Sequence, residues 1–334
     1  FAGLVVVASG CAHVQKVFDG QPAGVADKSA GFFFQEENDS IAPGNRDKYY
    51  TQGLRWAKTF NPDANPRVIK AIDEKFATTI FRNFRHKAIW SSGIAQTMYT
   101  PDDITISAPQ PHDRPWAGFI YLDNTMRFIN KGEPKVQHVF ELQTGVIGPY
   151  SGAKWAQSAL HALIGSPHPL PGWRNQISTR PGVEAIYLYN RRWGNSHIDF
   201  LPFAGGAAGN TMVYANAGAH VRLGWNLAGF FNTGAMQGTF AVSGGTRPPF
   251  EAWVYGGVNG SAIPYNLFLS KGDIDPKKFV YDRMAGASVR YRSYRLTYNI
   301  VRRSREFTHP LAPNFSSHDY GSVVLSYELI IKPN

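Results

Sequence analysis

The stretch RLTYNIVRR, residues 295–303, alternates strictly: Leu296, Tyr298 and Ile300 fall on one side of a strand, Arg295, Thr297 and Asn299 on the other. The segment before it has its own apolar set, Ala285, Ala287, Val289 and Tyr291. The phase slips between the two at Arg292-Ser293, which predicts a tight hairpin turn there. Similar segments follow one another from Gly31 onward, among them GFFFQEEND, KYYTQGLRWAKTF, WAGFIYLDNTMRFIN, KVQHVFELQTGVIG and GSVVLSYELII. Many run about ten residues, the length at which a tilted strand crosses a bilayer. A soluble sandwich turns the apolar face of such strands inward, whereas a transmembrane barrel turns it to lipid. The polar face here is Gly, Asn, Arg and Thr, which suits a wet lumen and favours the barrel.

The chain has 334 residues, and no internal repeat, charge block or linker divides it. A single domain over 29–334 is expected, behind a leader. Residues 1–28 open with FAGLVVVASGCAH, an apolar run ending in small residues, which reads as the tail of a secretory signal. Ala8-Ser9-Gly10-Cys11 also resembles a lipoprotein cleavage box. Cys11 is the single cysteine, which excludes a disulfide framework and a cysteine-based zinc site. The net charge of +10 points to an anionic partner, phosphorylated lipid or nucleic acid. No aromatic-basic recognition motif is present, so nucleic acid is not expected.

YSGAKWAQSALHALIG, residues 150–165, breaks the alternation. Trp155, Ala159, Leu160 and Leu163 recur at helical spacing, and Gln157 and His161 share one face, four residues apart. The familiar catalytic signatures G-x-S-x-G, H-E-x-x-H, the Walker loop and G-x-G-x-x-G are absent. What remains is dispersed: Asn38 and Asp39 in ENDS, Thr51 in YYTQG, Asp113 and Arg114 in PHDRPWAG, and the Gln157/His161 pair. Taken singly, each is ordinary turn, strand or ion-pair chemistry.

Their order along the chain says more. ENDS, YYTQGLRW, MYTPDDI, DRPWAGFIYL, TGVIGPYSGAKWAQSALHALIG, PGWRNQI, HVRLGWNL and the closing RSREF and HDYGSVVLSYEL together resemble the lipid A 3′-O-deacylase family of Gram-negative outer membranes. The resemblance runs from about Phe32 to Leu329. It implies an all-β fold: a twelve-stranded antiparallel transmembrane barrel, monomeric, with one short helix in an extracellular loop beside the active site. It further implies that His161 is the general base and that Gln157 orients water or substrate. Asn38, Asp39 and Thr51 match the family's other site residues, with Asp39 and Asn38 as ligands of a Ca²⁺ ion. Ser40 stands where the family carries a second acid. Arg114 is the nearest basic residue for the lipopolysaccharide headgroup. The competing expectation is a non-catalytic outer-membrane barrel, a pore or scaffold.

Overall fold

Alternating residues can leave no strand edge unpaired in a bilayer, so the sheet has to close on itself. In the computed structural model it does. The structure describes residues 29–42, 48–61, 65–79, 86–130, 135–163, 165, 170–233, 240–243, 249–308 and 317–330. The expected leader, with Cys11, lies outside them.

Twelve long strands form the barrel. They are β1 (Ser29–Asn38), β2 (Tyr49–Thr59), β3 (His86–Thr100), β4 (Ala117–Asn130), β5 (Val136–Ile147) and β6 (Arg180–Arg191). The second half comprises β7 (Ile198–Gly209), β8 (Met212–Trp225), β9 (Phe250–Asn266), β10 (Phe279–Tyr291), β11 (Tyr294–Arg303) and β12 (His318–Ile330). Each pairs antiparallel with its neighbour, and β1 closes onto β12 from Ser29↔Ile330 to Asn38↔Gly321. The hairpin predicted at Arg292-Ser293 joins β10 to β11, with Tyr291 opposite Tyr294 and Arg292 at φ 54°.

The faces sort as the alternation requires. Val289 and Leu296 are 43% and 46% exposed, while Thr297 and Asn299 are buried in the lumen. Paired charges fill that lumen. Arg55 makes two bonds to Asp123, at 3.0 and 2.6 Å, and Asp199 lies between Arg192 and Arg222. Glu251 is shared by Arg290 and Arg295. Isolated charges would be prohibitive in such a wall, but charges paired and hydrogen-bonded are tolerated. Toward one end, Tyr50, Tyr99, Phe119, Tyr121, Phe268 and Tyr320 pack together.

Among the described residues two α-helices lie outside the sheet. Helix α1 (Arg67–Thr78) follows β2 and rests Ile69, Ile72 and Phe76 on the outer wall. Its Phe76 stacks on Phe128 at 5.3 Å and meets Phe140 edge-on at 5.0 Å. The sequence predicts a single helix, and α1 is a second, with Ile69, Ile72 and Phe76 at helical spacing. Helix α2 (Ala153–Leu163) is the helix that was expected, in the connection between β5 and β6.

Candidate active site

Strand parity fixes which side of the wall each candidate faces. Phe34 in β1, Trp56 in β2, Ile94 in β3 and Leu122 in β4 are lipid-exposed. Four residues along each strand on the same face stand Asn38, Gln52, Met98 and Gly118. The ladder sets these side by side: Asn38 opposite Gln52, Gln52 opposite Met98, and Met98 opposite Gly118. One horizontal row near the rim, on the outside of the barrel, thus carries two amides that are buried rather than exposed.

Helix α2 packs over the β3–β4 end of this row. Gly118 has to be glycine, because a Cβ there would lie 2.2 Å from Ser151 Oγ and 2.4 Å from Ala153 Cβ. Met98, Trp116, Ala153, Leu170 and Trp173 form the apolar contact between wall and loop. Gln96 donates to the Ser151 carbonyl at 2.6 Å. The loop is pinned at both ends, Gly148 N–H donating to Gly118 C=O and Ile177 N–H to Trp116 C=O, each at 2.9 Å.

The helix is amphipathic in an inverted sense. Ala153, Gln157 and His161 are its buried stripe, while Trp155 and Leu163 are about four-fifths exposed, at 77% and 83%. Trp155 and Leu163 share the exposed face with Lys154 and Ser158, and the polar pair lies in shelter. Gln157 is held firmly, since Trp173 Nε1–H donates to its Oε1 at 2.7 Å. Trp173, in PGWRNQI, has no role that the sequence alone assigns. Its signal lay in a buried indole needing an acceptor.

Thr51 reaches the same face through an irregularity. The β2–β3 register shifts between Tyr50 and Gln52, so Thr51 is the extra residue of a bulge. Simple alternation from Trp56 would send Thr51 into the lumen. Its hydroxyl instead lies 2.6 Å from that of Thr100, which shares the outer face with Met98. Bulges commonly re-aim a side chain in this way.

Asn38 caps a short turn, accepting from Ser40 N–H at 2.7 Å. Asp39 follows over the rim, buried, with Oδ2 accepting the Lys48 backbone N–H at 2.5 Å. The two adjoin along the chain, and Asn38 belongs to the outer row. Among the described residues no three His, Cys, Asp or Glu side chains cluster as a metal site.

Arg114 stands apart from this set. It is wholly buried, its guanidinium 2.5 Å from Glu306 and over the Tyr99 ring at 5.1 Å. Glu306 also faces Arg303 at 3.6 Å. Burial pushes the Glu306 carboxyl up, but Arg114 and Arg303 outweigh it and hold the group below the usual carboxylate range. The headgroup contact was expected at Arg114; in the structure its guanidinium is packed under the loops and paired with Glu306. Asp113 is likewise structural, accepting from Asp102 and Arg114 backbone N–H groups.

A closed barrel with apolar residues on its outer face defines an outer-membrane β-barrel protein. The chain belongs to the outer membrane protein LpxR family, whose profile matches residues 1–329. LpxR from Salmonella typhimurium is similar in fold, with a TM-score of 0.69 at 19% identity, covering 89% of this chain and 99% of that one. The β domain of the Bordetella autotransporter BrkA aligns at a TM-score of 0.42 and 8% identity, over 92% and 100% of the two chains. The translocator domain of NalP from Neisseria meningitidis aligns at 0.37 and 8%, over 98% and 95%. No curated relative matches the chain.

Proposed function

We propose that this chain is a lipid A deacylase, hydrolysing an ester-linked acyl chain at the lateral site between α2 and the wall. The observation that carries this reading is the buried Gln157/His161 stripe, on a helix packed against the outer face of a family barrel. An amphiphile in the bilayer reaches such a site sideways, with its acyl chains still in hydrocarbon.

His161 acts as the general base. It takes a proton from water while the water oxygen bonds to the ester carbonyl carbon. The same imidazole then returns the proton to the sugar oxygen as the acyl C–O bond breaks, releasing a fatty acid and a free hydroxyl. General base help of this kind accelerates hydrolysis by roughly 10²–10⁴-fold. Gln157, its carbonyl accepting from Trp173, orients water or substrate. In this reading its amide N–H₂ donates to the carbonyl oxygen that gains charge.

Asp39 and Asn38 would hold a Ca²⁺ ion. Their donors are all oxygens, which is the set a hard cation takes, so the residues fit, though with one carboxylate. Bound there, the ion would polarise the ester carbonyl. Thr51 and Thr100 brace the wall beneath the substrate. The paired ions crossing the lumen argue against the competing pore reading.

The test is mass spectrometry of lipid A from Gram-negative cells expressing this chain. Loss of one acyl chain is expected; an unaltered lipid A spectrum alongside folded barrel in the membrane overturns the proposal.

A further inference from the structure

Gln52 faces the same side of β2 as lipid-exposed Trp56, yet is only 2% exposed, and its Oε1 has no hydrogen-bond partner among the described residues. A buried carbonyl left unpaired is unfavourable, and natural structures rarely keep one without a reason. Its neighbours on this wall are already engaged. Asn38 Oδ1 accepts from Ser40, Gln157 Oε1 accepts from Trp173, and the Thr51 and Thr100 hydroxyls bond to each other. The backbone explains how Gln52 gets there: the bulge at Thr51 leaves it opposite both Asn38 and Met98, in the row that ends under the start of α2 at Gly118.

We infer that Gln52 is a specificity residue of this site, its Oε1 accepting a hydrogen bond from an N–H or O–H of the acylated amino sugar beside the scissile ester. The inference rests on the deacylase reading and adds to it a recognition contact. An ester without such a donor leaves the carbonyl unpaired and gains nothing from it. Sites built to hydrogen-bond a substrate group discriminate strongly against analogues lacking that group.

The experiment compares Gln52→Met, which keeps the length of the side chain and removes the acceptor, with Gln52→Glu, which keeps an acceptor. Purified folded barrels are assayed on lipid A and on a p-nitrophenyl acyl ester, which has no hydrogen-bond donor. Gln52→Met is expected to lose about tenfold in kcat/KM on lipid A, chiefly in KM, the scale of one hydrogen bond. Hydrolysis of the p-nitrophenyl ester stays at the parent level, and Gln52→Glu stays within a few-fold of the parent on lipid A. Equal loss on both substrates, or no loss on lipid A, overturns the inference and leaves the deacylase reading standing.

A binding arm separates the two readings from the other side. Dissociation constants for lipid A in detergent are measured in a His161→Ala background, with and without Gln52→Met. About tenfold weaker binding with Gln52→Met supports the contact even if no hydrolysis is found in the parent. Identical binding, or none, overturns it. Calcium titration calorimetry of Gln52→Met is expected to match the parent; a weakened cation site would assign the carbonyl to the metal and overturn the recognition role.

Discussion

Trp173 and Gln157 are joined by one hydrogen bond, indole N–H to amide carbonyl at 2.7 Å, with both groups buried between loop and wall. This bond fixes the direction of the Gln157 carbonyl and so sets how the amide is turned. Trp173→Phe keeps the ring against Trp116, 5.0 Å away, and removes the donor. A buried acceptor that loses its partner costs about 1–3 kcal/mol. Turnover on lipid A is expected to fall roughly 5- to 150-fold, by the same energies. Heat-modifiable migration on gels, which reports the folded barrel, should be unchanged. Full turnover in Trp173→Phe would show that the amide orientation does not matter.

Gly118 is where the helix and the sheet come closest. Gly118→Ala would drive its Cβ into Ser151 Oγ and Ala153 Cβ, so the start of α2 has to lift. The β4 ladder itself tolerates alanine, and the barrel should assemble. A displacement near 1 Å in a catalytic group can cost about 10²-fold in rate. The expected result is a folded barrel with turnover reduced ten- to a hundred-fold, on the same scale. Normal turnover would mean that α2 is not held by this contact.

The barrel was legible because its determinants are local. Leu296, Tyr298 and Ile300 announce their face within one strand, and the phase slip at Arg292 announces the turn. The site was legible in part for the opposite reason. Gln157 and His161 share a helical face by spacing alone, but that this face turns inward, with Trp155 and Leu163 outward, depends on the wall the helix packs against. Thr51 is misread by parity, since only the bulge after Tyr50 turns its hydroxyl to Thr100. Gln52 looks like one polar residue in a strand until the ladder sets it opposite Asn38. Arg114 reads as the nearest basic residue for a headgroup, because nothing near it in sequence reveals Glu306, which is 192 residues away.

Glu306 gives a pH dependence. Its folded carboxyl ionises below the usual glutamate value of about 4.3, held there by Arg114 and Arg303 against the effect of burial. A depressed acid stabilises the folded form at pH above the unfolded value, and that contribution disappears as pH falls through the lower folded value. The loops preceding β4 and β12, tied together by the Arg114–Glu306 pair, should therefore stay protected at neutral pH and open only in acid, below the ordinary glutamate range. Hydrogen exchange read peptide by peptide across 101–116 and 304–308 checks this. Opening between pH 6 and 7 would mean that another group controls these loops.

The metal reading predicts a chelation effect. If Asp39 and Asn38 hold Ca²⁺, excess chelator should abolish lipid A hydrolysis and added calcium should restore it. A set with one carboxylate, and Ser40 in place of a second acid, binds weakly, so the calcium needed for half-activity should be high, toward the millimolar end of protein calcium sites. Asp39→Ala should lose the calcium response while migrating as a folded barrel. Full activity in chelator would remove the cation from the mechanism.

His161 carries the sharpest outcome. The imidazole lies on the buried stripe of α2, two turns beyond Ala153, where a base would be sheltered from bulk water. His161→Ala should lower turnover by two or more orders of magnitude, the lower range of general base contributions. His161→Gln fills much of the same space and retains hydrogen bonding, but cannot accept a proton at neutral pH, and should fail nearly as badly. Gln157→Ala should be milder, because a single donor to a developing charge is removed while proton transfer remains; a loss of roughly tenfold fits one hydrogen bond. A purely structural histidine makes the opposite forecast. His161→Ala would then lower thermal stability and leave turnover per folded molecule intact, and His161→Gln would restore much of the stability. Measuring lipid A deacylation and heat-modifiable migration on the same purified variants separates the two, and a folded, fully active His161→Ala barrel ends the catalytic assignment.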